Sequence, residues 1–159
     1  MKIKNIVLMI KFVVMSEFAG LIGSIFTAPA IDGWYASLEK PLFNPPNWVF
    51  GPVWTTLFLL IGVAVYWIYI NTDATSIKKR IAFIVFGIQF ILNIIWSLLF
   101  FKLQSPFLAF VEVIILWIFI LLTIILFYKI SKKAGIILLP YILWVSLAAY
   151  LNWQLWLLN

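Results

Sequence analysis

Trp34-Tyr35-Ala36-Ser37-Leu38-Glu39-Lys40-Pro41-Leu42-Phe43-Asn44-Pro45-Pro46-Asn47-Trp48-Val49-Phe50-Gly51-Pro52-Val53-Trp54 is the longest stretch of this chain that is not simple membrane helix. Pro41, Pro45 and Pro46 lack a backbone N–H and fix their own φ, so a helix does not run through them. The residue before each proline is pushed toward extended geometry. A solvated loop has little use for Trp34, Tyr35, Phe43, Trp48, Phe50 and Trp54. A loop lying over an apolar pocket at a membrane surface does.

The surroundings of that loop are apolar. The chain has 159 residues, of which 66% are hydrophobic, 19% aromatic and 10% charged. Soluble domains carry about 25% charged residues, so a single-domain integral membrane protein is expected over 1–159. There is no histidine and no cysteine. Disulfides, zinc–thiolate sites, cysteine nucleophiles and histidine bases are thereby excluded. The net charge of +6 reads as membrane topology and attraction to anionic headgroups rather than as nucleic-acid binding.

Five apolar segments reach the roughly 20 residues that a span needs: 6–27, 51–70, 80–101, 106–128 and 134–157. Backbone groups in lipid must be satisfied within each segment, so the spans are helices. Gly51 and Pro52 are expected to open the second span, and Pro140 to kink the fifth. The first run resembles a signal peptide, with Ala28-Pro29-Ala30 as a mimic of a cleavage site. Lys11 and Glu17 interrupt it, however, and cleavage is not expected. Ser16, Gly20, Ser24 and Ala28, beside Ala19, Gly23 and Thr27, form a small-residue face suited to close helix contact, within the bundle or across a dimer.

Lys2, Lys4, Lys78, Lys79, Arg80, Lys129, Lys132 and Lys133 fall on one side of the membrane, Lys40 and Lys102 on the other. This bias predicts a cytoplasmic N-terminus in the cell membrane, with loop one and the C-terminus outside. Counting residues at about 1.5 Å each puts Trp144 near the midplane and Trp54 and Trp96 in the outer half. Gln89, Asn93 and Ser97 make a polar stripe on the third span. Such a stripe is costly in lipid and must face the interior, either for helix-to-helix bonding or for a ligand. Glu17 is expected to be protonated or paired within the bundle, and Glu112 lies toward the outer end of the fourth span.

Three sets of residues carry a resemblance. Trp34-Tyr35, Lys40-Pro41, Asn44-Pro45-Pro46, Trp48-Val49-Phe50-Gly51 and Trp54 form the first. Gln89, Asn93, Trp96-Ser97 and Phe100-Phe101 form the second. Pro140-Tyr141, Trp144, Ala148 and Leu151-Asn152 form the third. In this order, on five spans, they resemble the tryptophan-rich sensory protein and translocator protein family.

The resemblance implies an all-α bundle of five transmembrane helices, often dimeric, with loop one capping an outward-facing pocket. It implies porphyrins and similar flat hydrophobic molecules as ligands. It implies ligand contacts at Tyr35, Pro45, Trp54, Phe58, Asn93, Trp96, Ser97, Trp144 and Ala148. Light-dependent porphyrin breakdown, with Trp54 and Trp144 as its candidate residues, and transport of tetrapyrrole or lipid are the alternative readings. Tyr150 is followed by no Lys or Arg, a departure from the steroid-recognition pattern of animal members. No cofactor is expected. With no His or Cys, and with Met1, Met9 and Met15 off the pocket face, the usual ligands of haem iron are missing. The ring is therefore expected to be held by stacking on Trp54, Trp96 and Trp144, with Asn93 and Ser97 as polar handles.

Overall fold

The computed structural model describes residues 3–159; Met1 and Lys2, which the charge count and the methionine argument invoked, lie outside them. Seven helices follow one another: α1 Ile3–Ile31, α2 Trp34–Ser37, α3 Asn47–Ile70, α4 Ser76–Ser97, α5 Pro106–Ile130, α6 Lys132–Ile136 and α7 Leu139–Leu158. A π-helical turn, Leu98–Lys102, extends α4. There is no strand among the described residues. Five helices are long and apolar enough to cross a membrane, α4 with its π turn and α6–α7 each counting as one. The fold is an all-α integral membrane bundle of five spans.

The helix ends differ from the sequence expectation, for local reasons. α1 carries on through Pro29 to Ile31. α3 begins at Asn47, directly after Pro46, and takes Pro52 inside it. The missing Pro52 N–H falls near the start of the helix, and Thr56 Oγ donates to the Pro52 carbonyl at 2.9 Å. At Pro140 there is a break rather than a kink. α6 ends at Ile136, a turn follows, and Pro140 sits in the first turn of α7, where no N–H is needed. The reversal from α5 into α6 is tight. A Cβ on Gly135 would lie 2.5 Å from Tyr128 Cβ and 2.8 Å from its Cα, so only glycine fits.

The small-residue face of α1 is used within the bundle, but it is narrower than expected. Ser16 and Ala19 are buried, whereas Ser24 and Ala28 are exposed. Gly20 lies under the ring of Phe58 on α3, and Gly23 faces the Ser97 side chain on α4. Farther along, a Cβ on Gly62 of α3 would meet the Val13 backbone at 2.5 Å. α1 therefore packs closely on α3 and also on α4, while α4, α5 and α7 pack in sequence. The fifth boundary, between α3 and α7, is different. The two helices scarcely meet, and α3 touches the α6–α7 unit mainly at α6.

Candidate functional site

Two polar ties fix the interior. Asn93 Nδ2 donates to the Tyr141 phenol oxygen at 2.9 Å, and that phenol donates to Gln89 Oε1 at 2.9 Å. All three residues are buried. Two members of the polar stripe on α4 are thus engaged with α7. The third, Ser97, faces Gly23 of α1. Nearer loop one, the Trp96 indole N–H donates to Asn152 Oδ1 at 2.9 Å. The Trp96 ring is stacked on Phe100, with centroids 5.4 Å apart and planes at 7°.

Trp54, Asn93, Trp96 and Ala148 come together around one internal space, completed by Val113, Leu116 and Val145. Trp54 lies stacked on Phe58 at 5.5 Å and meets Tyr141 edge-on at 6.3 Å. The space is closed down. Its volume is about 10 Å³, the room of roughly one water. α5 supplies Val113 and Leu116, which sequence reading did not single out. Apart from Glu112 and Thr123 the fourth span is apolar on every side, and neither marked Val113 or Leu116 as pocket residues.

The remaining candidates lie elsewhere. Trp144 is across the wall, with its ring edge-on to Phe50 at 5.7 Å. Phe50 stands one turn into α3, so the Trp144 ring lies nearer the loop-one end than the midplane position its residue count implied. Tyr35 belongs to a second aromatic cluster, with Trp34, Phe100 and Phe101. Its phenol donates to Asn44 Oδ1 at 3.5 Å, and Lys40 Nζ stands 5.0 Å above its ring. Burial pushes the Tyr35 phenol above its ordinary pKa, and the bond to Asn44 pulls it the other way. Pro45 is half-buried and accepts from Asn44 Nδ2 at 3.3 Å.

Loop one is clasped at its middle. The Asn159 side chain accepts from the Glu39 backbone N–H at 3.0 Å and donates to the Glu39 carbonyl at 3.1 Å. Two helix-flanking polar residues far apart in sequence make this pair, and no motif pointed to it. Leu42 and Phe43 at the apex of the loop, and Trp48 in the first turn of α3, are exposed, Trp48 at 75%.

The acidic residues also sort differently from expectation. Glu17 is only partly covered and makes no hydrogen bond among the described residues, so of the two expected states, protonated or paired, the pairing is not seen. Glu112 on α5 is the buried one, at 6% exposure, and neither of its oxygens has a partner among the described residues. No cluster of His, Cys, Asp or Glu able to hold a metal ion occurs among the described residues.

Residues 12–157 match the model of the TspO/MBR family. The chain is 42% identical over 140 residues to the tryptophan-rich protein TspO of Chlorobaculum tepidum, covering 88% of each chain. It is 41% identical over 155 residues to the protein of that name from Archaeoglobus fulgidus, covering 98% of this chain and 99% of the other. The translocator protein of Bos taurus is 29% identical over 145 residues, which cover 91% of this chain and 86% of the bovine one.

Proposed function

This chain belongs to the TspO/MBR family, and from that premise we propose that it is a membrane receptor or sensor that binds porphyrins and similar flat hydrophobic molecules within its helix bundle. Relatives carry the names tryptophan-rich sensory protein and translocator protein. A role in sensing or translocation at a membrane is the coarse statement those names support. The finer one rests on the site.

The observation that carries it is the meeting of Trp54, Trp96, Asn93 and Ala148 around one internal space between spans. Flat aromatic walls with few polar groups suit a flat aromatic macrocycle. Trp96 and Asn93 already spend their N–H groups on Asn152 and Tyr141. Trp54 and Trp144 make no hydrogen bond among the described residues, so their indoles stay available to a ligand. Ligand sites commonly need 300–1,000 Å³, and the internal space must therefore widen to accept the ring. In this reading the N-terminus is cytoplasmic and loop one lies outside, as the charge bias favours.

Quenching of tryptophan emission by metal-free and iron porphyrins, in the dark, tests the proposal. Wild type is expected to bind both with similar affinity. Trp54→Leu and Trp96→Leu, both at the internal space, are expected to weaken binding about tenfold, since roughly 1.4 kcal/mol of lost stacking corresponds to a factor of ten. Unchanged affinity in both variants would remove stacking as the basis of recognition.

A further inference from the structure

The boundary between α3 and α7 holds a groove of about 540 Å³ that opens sideways from the bundle. Pro52, Val53, Thr56, Leu57 and Leu60 line it on α3; Pro140, Leu143, Trp144 and Leu147 line it on α7. Its only side-chain hydroxyl, that of Thr56, is spent on the Pro52 carbonyl of the same helix. Both walls are membrane-spanning helices, so the groove faces lipid.

The groove and the internal space are lined by neighbouring residues of the same two helices. Val53 and Trp144 line the groove; their chain neighbours Trp54 and Val145 line the internal space. Two aromatic contacts cross this boundary, Phe50 on Trp144 and Trp54 on Tyr141. No hydrogen bond joins α3 to α7 among the described residues. The loop-one end is closed quite otherwise, by the paired Glu39–Asn159 bonds, the Tyr35–Asn44 bond and the aromatic cluster around Phe100. Opening that end breaks the paired bonds and the aromatic packing together. Parting α3 from α7 exchanges apolar contacts for lipid contacts and strands no polar group.

We propose that the α3–α7 groove is the passage by which a flat hydrophobic ligand moves between the bilayer and the internal space, with the Trp144 ring and its contact to Phe50 as the gate. This rests on the binding reading above and adds the direction of approach. The ligand arrives dissolved in lipid, and the gate moves by swinging two aromatic rings apart.

Stopped-flow quenching with metal-free protoporphyrin in lipid nanodiscs tests it. Leu143→Trp and Leu147→Trp fill the groove from its lipid side. Each is expected to slow both association and dissociation about tenfold while leaving Kd within about threefold, the signature of a gate rather than a contact. Leu60→Ala widens the groove and is expected to speed both rates. Misfolding does not mimic that opposite direction, and size-exclusion profiles check the filled variants. Asn159→Ala, which frees loop one, is expected to leave both rates at the wild-type value. Wild-type rates in the filled variants, or acceleration by Asn159→Ala instead, overturn the passage while binding stands. Lack of saturable binding by wild type overturns the binding reading itself, and the passage with it.

Discussion

Asn93 on α4 and Tyr141 on α7 hold each other at 2.9 Å in the buried interior, and the same phenol reaches Gln89 one turn away. One hydroxyl thus satisfies two amides that otherwise face hydrocarbon. Tyr141→Phe keeps the ring and leaves an Asn93 N–H and the Gln89 carbonyl unpaired. Each orphaned group costs about 1–3 kcal/mol. A clear loss of stability in thermal unfolding in detergent is expected, larger than that of Tyr150→Phe at an exposed position.

Two glycines in the α1–α3 contact are expected to behave differently. At Gly62 a Cβ would sit 2.5 Å from Val13 Cα and 2.9 Å from the Phe12 carbonyl oxygen. Backbone does not retreat, so Gly62→Ala forces the helices apart. At Gly20 the obstacle is the edge of the Phe58 ring at 2.9 Å, which is able to shift. Overpacking of a tight core costs about 1–3 kcal/mol. Gly62→Ala is expected to lie at or beyond that range, Gly20→Ala below it, and Gly20→Leu to wedge the contact open. Unfolding midpoints of the three variants check the order.

Glu112 is buried with both carboxyl oxygens unpartnered among the described residues. Burying a polar group without a bond costs free energy that an apolar side chain of similar length does not incur. Glu112→Met is expected to raise the unfolding midpoint. A lowered midpoint would show that the carboxyl has a stabilising partner in the membrane.

Topology has a direct test, because the protein contains no cysteine. Ser37 follows Tyr35 in α2, and Ser76 opens α4 at the opposite, basic end; both are exposed. In intact cells an impermeant thiol reagent is expected to label Ser37→Cys and to spare Ser76→Cys. The reverse pattern overturns the cytoplasmic N-terminus.

The five spans were legible because span length and apolarity are properties of composition along the chain. The polar stripe was legible too, since Gln89 and Asn93 have no reason to face lipid. What they bond to was not, because Tyr141 reads as one aromatic among many. The first span was ended at Thr27 short of Pro29, the second was opened at Gly51 rather than Asn47, and a kink was expected at Pro140 where a new helix starts around the proline. Near a helix start its missing N–H costs little. The clasp between Glu39 and Asn159 and the π turn at Leu98–Lys102 depend on tertiary placement, and no local pattern announces either. The close approach at Gly62 was missed because one glycine in an apolar span looks like any other until its neighbour is known.

The bond from Asn71 Nδ2 to the Ile130 carbonyl, at 3.2 Å, ties the basic end of α3 to the end of α5. α3 also touches the α6–α7 unit mainly at that end, through α6. The helix is therefore pinned at its base, packed along α1 and unbonded to α7 along the rest of its length, so that α3 moves against α7 as a lever together with α1. Its 24 residues span about 36 Å at 1.5 Å per residue, so a tilt of about 5° carries the far end about 3 Å, close to the thickness of an aromatic ring. Small angular play at the base becomes nearly a ring-wide displacement at Phe50 and about half of that at Leu60.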